Sequence, residues 1–170
     1  MIPKPFRALL VPLATLALIA GSTSAETVDT APDHIVVIKS ERKLMLMRGD
    51  TVLRSMNIAL GLMPRGPKHQ EGDFRTPEGQ YFIEAKNPDS DYFLSLKVSY
   101  PNAADRATAR RLGVDPGGQI MIHGLPNDPK FDEASYKSQD WTDGCIAVSN
   151  SDMVDLWRLI TVSTPIEIRP

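Results

Sequence analysis

Cysteine is almost absent from this chain of 170 residues: Cys145 is the only one. It cannot close an internal disulfide, so the fold must be held by a packed core rather than by cross-links. After residue 25 no stretch approaches the ~20 apolar residues that a membrane span requires. No basic block stands out and the formal net charge is −2, which gives no support to nucleic-acid binding, a function that wants a clustered cationic face. Internal repeats and low-complexity tracts are also missing, so neither a solenoid nor a second domain is expected. The other metal-ligating candidates, His34, His69 and His123, have no close ligand spacing with each other or with Cys145. No metal site is therefore expected from the residues.

The first 25 residues carry an export signature. Lys4 and Arg7 precede an apolar run from Ala8 to Ala20, and Gly21-Ser22-Thr23-Ser24-Ala25 supplies small residues for a signal peptidase. Cleavage after Ala25 is expected, with an uncleaved N-terminal anchor as the alternative. The leader holds two cations and no acid, so its loss takes the formal charge from −2 to −4. Residues 26–34 read as a lead-in and 35–170 as one domain, large enough for a real core. The expected product is an exported monomer without a stable membrane span.

Within the domain, Ile35 to Ile38, Leu44 to Met47 and Val52 to Leu60 are short apolar runs between turn signals, which predicts a strand meander. Gly61 to Gly79 is dense in Gly, Pro and charge and reads as a long ordered loop. Thr76-Pro77-Glu78-Gly79 suits a type I turn leading into a strand over Gln80 to Glu84. Phe93 to Ser99, Ile120 to Ile122 and Pro165 to Ile168 read as further strands. Two helices are predicted. One runs from Ala103 to Leu112, opened by Pro101-Asn102 and ended by Gly113; the other runs from Ser151 to Ile160, with Ser149 or Asn150 as N-cap. In the second, Met153, Val154, Leu156, Trp157 and Ile160 form the apolar stripe. The fold class is thus mainly β, a β-rich α+β domain with two short helices.

An unpaired thiol in an exported protein is a buried apolar residue, an intermolecular bridge or a nucleophile. The flanking text favours the nucleophile. His123 closes the apolar run Ile120-Met121-Ile122 and is followed by Gly124, which allows close approach of a partner. An imidazole there can take the proton of Cys145, and a depressed thiol pKa is expected. Thr142, Asp143 and Gly144 would bring backbone N–H groups toward a carbonyl under attack. Trp141 is a candidate wall of the cleft.

The His-Gly pair at the end of an apolar strand, a variable insert, and Thr142-x-Gly144-Cys145 followed by apolar residues, Asn and a helix resemble the catalytic core of the L,D-transpeptidases, the YkuD family. The resemblance extends to Gly66-Pro67-Lys68, Glu71-Gly72-Asp73, Arg75-Thr76-Pro77-Glu78-Gly79-x-Tyr81, Ser99-Tyr100-Pro101-Asn102 and Thr164-Pro165-Ile166-Glu167-Ile168. It implies a YkuD-like β-sandwich-type catalytic domain, export to the periplasm or cell envelope, peptidoglycan stem peptides as partners, and no metal or organic cofactor. It also implies a Cys145 thioester, formed on a tetrapeptide donor and passed to an amine in a 3–3 cross-link. In that scheme His123 is base and then acid, oriented by a main-chain carbonyl at Gly124.

Two departures stand out. Many members carry a second histidine two residues before the cysteine, where this chain has Asp143. The insert is also long, with 22 positions separating His123 from Cys145, and residues 125–140 are read either as a flap over the cleft or as a surface loop. Arg65, Lys68 and Arg75 could hold a substrate carboxylate, or could be tied up in ion pairs with Glu71 and Asp73. The alternatives in function are an L,D-carboxypeptidase or amidase, where water takes the thioester, and a non-catalytic wall-binding module. A sortase order of His before Cys is also present, but only Arg169 could serve as its downstream arginine.

Overall fold

The computed structural model describes Met1 and residues 31–170, so residues 2–25 of the expected leader and 26–30 of the lead-in lie outside the described residues. The described elements are β1 (His34–Ile38), β2 (Lys43–Arg48), β3 (Thr51–Asn57), β4 (Gly79–Ser90), β5 (Phe93–Val98), α1 (Ala103–Leu112), β6 (Met121–His123), α2 (Glu133–Ser138), β7 (Ile146–Ala147), α3 (Asn150–Leu159) and β8 (Pro165–Arg169). The first three strands form the meander expected from the sequence, with β1 and β3 each antiparallel to β2.

The eight strands make one mixed sheet in the order β3-β2-β1-β8-β4-β5-β6-β7. The C-terminal strand β8 enters between β1, to which it is parallel, and β4, to which it is antiparallel. Strand β4 is long enough to serve both halves. Its first residues, Gly79 to Phe82, pair with β8, and from Ile83 onward it pairs with β5 through two irregularities that bend the strand. Just past β3 the chain reaches the opposite end of the sheet. There Ala59 and Ala147 exchange both backbone hydrogen bonds at 2.9 Å, so the two sheet ends meet.

That closure wraps the sheet around one core. Ile35, Leu44 and Ile166 from one half and Leu96, Ile122 and Ile146 from the other belong to a single cluster and are fully buried. The domain is therefore mainly β and sandwich-like. Helix α3 covers the core with Met153 and Leu156, while Trp157 packs at its margin under the Lys86 ammonium, 4.6 Å from the ring centre.

Local signals account for the helix ends. The Asn102 side chain accepts from the Ala104 and Asp105 N–H groups, Asp105 reaches back to the Asn102 N–H, and Gly113 ends α1 in the left-handed region at φ 70°. Ser149 caps α3 by accepting from the Asp152 N–H. Helix α2 is a third helix, beyond the two expected from the sequence. It is six residues long and is capped by Asp132, whose carboxylate accepts from the Ser135 N–H.

Candidate active site

The thiol and the imidazole are brought together by strand register. Strands β6 and β7 are parallel, with Ile122 opposite Ile146 and His123 opposite Ala147. Ile122 and Ile146 point into the core, so Met121, His123 and Cys145 fall on the other face by alternation. There the Met121 N–H donates to Cys145 Sγ at 3.4 Å, and the thiol donates to the Gln119 carbonyl at 3.5 Å. His123 and Cys145 line one cavity of about 350 Å³, together with Tyr92, Trp141, Thr142 and Asp143.

His123 is buried, 4% exposed, and its orientation is fixed. Nδ1 donates to the Gly124 carbonyl at 2.7 Å. A carbonyl only accepts, so the proton of the neutral ring resides on Nδ1 and Nε2 keeps the lone pair. The ring packs against Tyr92 with centroids 4.6 Å apart and edge-on to Trp141 at 5.6 Å. Gly124 itself is wedged: a Cβ there would meet Asn150 Oδ1 at 2.5 Å. That same oxygen accepts the Leu125 N–H at 2.8 Å, which ties the start of the insert to α3.

The turn before the cysteine is held by its own threonine. Thr142 Oγ1 accepts the Gly144 N–H at 3.2 Å and donates to the Cys145 carbonyl at 2.8 Å. The Gly144 N–H is thus engaged within the turn. Gly144 has φ +128°, and a Cβ would lie 2.6 Å from the Arg75 carbonyl oxygen, so only glycine lets the loop 61–79 pass this close.

Electrostatics keep both groups neutral. Burial pushes the Cys145 thiol above its ordinary range, the Met121 N–H pulling it back and the Asp143 carboxylate adding to the rise. Burial likewise holds His123 below the usual histidine value, against the pull of its bond to Gly124. A depressed thiol pKa, expected from the sequence, is therefore not a property of the resting site: no cation stands close enough to overcome desolvation.

The basic residues of the loop 61–79 do not line the cavity. Lys68 is 5% exposed, and its ammonium is bonded to Asp73 (2.7 Å) and the Gln70 carbonyl (3.0 Å). Asp73 also accepts the N–H groups of His69, Gln70 and Arg75, which makes it the hub of the loop. Arg75 turns its guanidinium toward Gly66, and Arg65 is exposed beside a separate cavity with Lys39 and Glu78. Holding a substrate carboxylate in the Cys145 cavity is therefore not a role these three placements support. The loop is pinned from beneath by the buried Lys39, whose ammonium donates to the Gly66 and Thr76 carbonyls and to Glu78 at 2.7–2.9 Å.

The cavity is acidic instead. Asp89 and Asp91, at the tip of the β4–β5 hairpin, join Asp143 in its lining, and no Lys or Arg is among the lining residues. The sequence alone does not single out this tip or Tyr92 as part of the site. Its only local mark is the polar run Asn87-Pro88-Asp89-Ser90-Asp91, an ordinary turn composition.

Residues 32–168 match the YkuD family, the L,D-transpeptidase catalytic domain. The chain belongs to that family. Among curated proteins the chain is 30% identical over 168 residues to YafK of Escherichia coli K12, whose name carries the L,D-transpeptidase assignment as provisional. The match takes in 90% of this chain and 61% of YafK, so the chain spans about three-fifths of that relative's length. Among solved structures, the helical cell shape determining protein Pgp2 of Campylobacter jejuni is 26% identical, with a TM-score of 0.58 over 79% of this chain and 46% of Pgp2. Bd1075 of Bdellovibrio bacteriovorus is also 26% identical, with a TM-score of 0.55 over 84% of this chain and 49% of that one. An L,D-transpeptidase of Mycobacterium smegmatis, at 17% identity and a TM-score of 0.55, shares the YkuD fold.

Proposed function

We propose that this domain is an L,D-transpeptidase that works through a Cys145 thioester on peptidoglycan stem tetrapeptides. The observation that carries the reading is His123, buried in the thiol's own cavity with Nδ1 tied to a carbonyl and Nε2 left as the base. In the first half-reaction Nε2 takes the Cys145 proton as the sulfur attacks the carbonyl on the L side of an L–D peptide bond. Negative charge on the carbonyl oxygen falls to the N–H of Cys145, in the turn that Thr142 braces. The imidazolium then protonates the leaving amine, and the terminal D-amino acid departs.

In the second half-reaction His123 removes a proton from the attacking amine, the thioester C–S bond breaks, and the thiol is restored. The amine of a second stem peptide gives a 3–3 cross-link, and water would give a tripeptide. The acidic lining favours the amine. Asp89, Asp91 and Asp143 complement an incoming ammonium group, and Asp143 takes no part as an imidazolium-like donor. Gly124 and Thr142 act as orienting groups, and Trp141 as a wall.

Export to the periplasm or cell envelope belongs to the same proposal, on the strength of the leader at 1–25. Among the described residues no helix is long and apolar enough to cross a membrane. The deciding experiment is incubation of the exported protein with disaccharide-tetrapeptides, followed by separation and mass analysis of the products. 3–3 dimers are expected. Tripeptides alone would move the assignment to a carboxypeptidase, and no product at all would leave a wall-binding module.

A further inference from the structure

A second cavity, of about 500 Å³, adjoins the first and shares Tyr92 and Trp141 with it as walls. The insert builds the rest of it. From the buried His123 an aromatic row runs outward through Trp141, Tyr136 and Phe131, with successive centroids 5.6, 5.1 and 5.9 Å apart. The row is rigid because its polar handles are taken: Trp141 Nε1 donates to the Tyr136 carbonyl at 3.1 Å, and the Tyr136 hydroxyl accepts the Lys130 N–H at 3.0 Å. At its outer end Phe131 is 67% exposed, and Tyr92 opposite is 39% exposed. Two accessible rings on a fixed frame form a binding surface whose ordering cost is already met by the fold.

The rims of the two cavities differ in charge. The Cys145 cavity has three carboxylates and no cation, whereas the aromatic trough has one Asp128, one Lys130 and the neutral Ser135 and Gln139. The ammonium group of a stem peptide matches the first. A neutral ring with an apolar C–H face and hydroxyl and amide groups at its edge matches the second: the face rests on aromatic carbon, and the edge finds donors and acceptors of either kind.

We propose that the trough walled by Phe131, Tyr136, Trp141 and Tyr92 is a saccharide subsite that holds an N-acetylhexosamine unit of the substrate while its peptide lies at Cys145. This rests on the stem-peptide reading of the Cys145 cavity for its biological substrate, but the subsite can be tested without turnover. The probe is di-N-acetylchitobiose, a neutral disaccharide. Saturation-transfer difference NMR is run on the full Cys145→Ala chain, with a titration for affinity.

The expected result is transfer from aromatic protons to the sugar ring and acetyl protons, with affinity about three- to tenfold weaker in Phe131→Ala, the range of one stacking contact. Phe131 and Gln139 are exposed, so Phe131→Ala and Gln139→Ala leave the core intact and test the face and the edge separately. Absence of transfer overturns the subsite, as does transfer unaltered by both substitutions. A sugar-free tetrapeptide that displaces the disaccharide reassigns the trough to peptide. Sugar binding without turnover of any muropeptide supports the subsite and sinks the acyl-transfer reading alone; turnover without sugar binding does the reverse.

Discussion

Arg42 and Asp140, 98 residues apart, form a forked ion pair that closes the far end of the insert. Arg42 Nε donates to Asp140 Oδ1 at 3.0 Å and Nη2 to Oδ2 at 2.6 Å. Asp140 Oδ1 also accepts the Leu60 N–H, and the Leu60 carbonyl accepts the N–H groups of Trp141 and Thr142. The turn that carries Cys145 is thereby anchored to the β1–β2 connection.

Asp140→Ala should cost about 1–3 kcal/mol of stability, the range for losing hydrogen bonds to a carboxylate that is 18% exposed. Arg42→Lys keeps the charge but not the fork, and should recover only part of the loss. Urea denaturation measures the first effect, and the alkylation rate of Cys145 reports whether the turn has shifted. Unchanged values of both would mean that the pair is ornamental.

The thiol should behave as a neutral group at rest. Burial raises Cys145 and lowers His123, so between those two pKa values the pair is uncharged. Iodoacetamide labelling, which needs thiolate, should therefore climb about tenfold per pH unit through neutrality, without levelling below pH 9. A plateau starting below pH 7 would show a standing thiolate–imidazolium pair and refute this reading of the site.

His123→Ala should lower turnover of a tetrapeptide donor by about 10²- to 10⁴-fold, the usual worth of a positioned proton transfer. Asp143→Ala should cost far less in the first half-reaction and act chiefly on capture by the amine acceptor. Pre-steady-state thioester formation, followed by intact mass, separates the two. Equal acylation rates in wild type and His123→Ala would remove His123 from the mechanism.

Acid should loosen the loop 61–79. Burial raises Asp73, but the Lys68 ammonium and three N–H donors outweigh it and set the carboxyl below its ordinary value. A depressed carboxyl stabilises the fold above the unfolded pKa of about 3.9, and that contribution disappears as pH falls through the folded pKa. The stability gap between wild type and Asp73→Asn should be constant above about pH 5 and shrink below about pH 4. Denaturant titrations across that range are the check, and a gap independent of pH would exclude the ionised hub.

Gly144→Ala and Gly49→Ala make a matched pair. Both positions have positive φ, but a Cβ at Gly49 meets nothing within 4 Å, whereas one at Gly144 meets the Arg75 carbonyl. About 1 kcal/mol is expected at Gly49, from backbone strain alone. Gly144→Ala should lose more than that and abolish Cys145 reactivity, as read by thermal unfolding and thiol labelling.

Much of this protein is written locally. Asn102 and Gly113 bound α1, Ser149 opens α3, and the apolar runs of β1, β2 and β5 stand between turn residues, because caps and turns are satisfied by neighbours in sequence. His123 and Cys145 were legible as a pair from their flanking glycines and apolar residues. Pairings across the chain were not. The entry of β8 between β1 and β4, the meeting of Ala59 with Ala147, and the two-residue strand β7 depend on which edges the closed core brings together, and no short window records that. The same holds for charge. In sequence Lys68 could serve a substrate carboxylate or pair within its own loop; the pairing with Asp73 is decided by the loop folding back on itself, and burial, which raises the Cys145 thiol and lowers His123, exists only once the sheet has closed around its core.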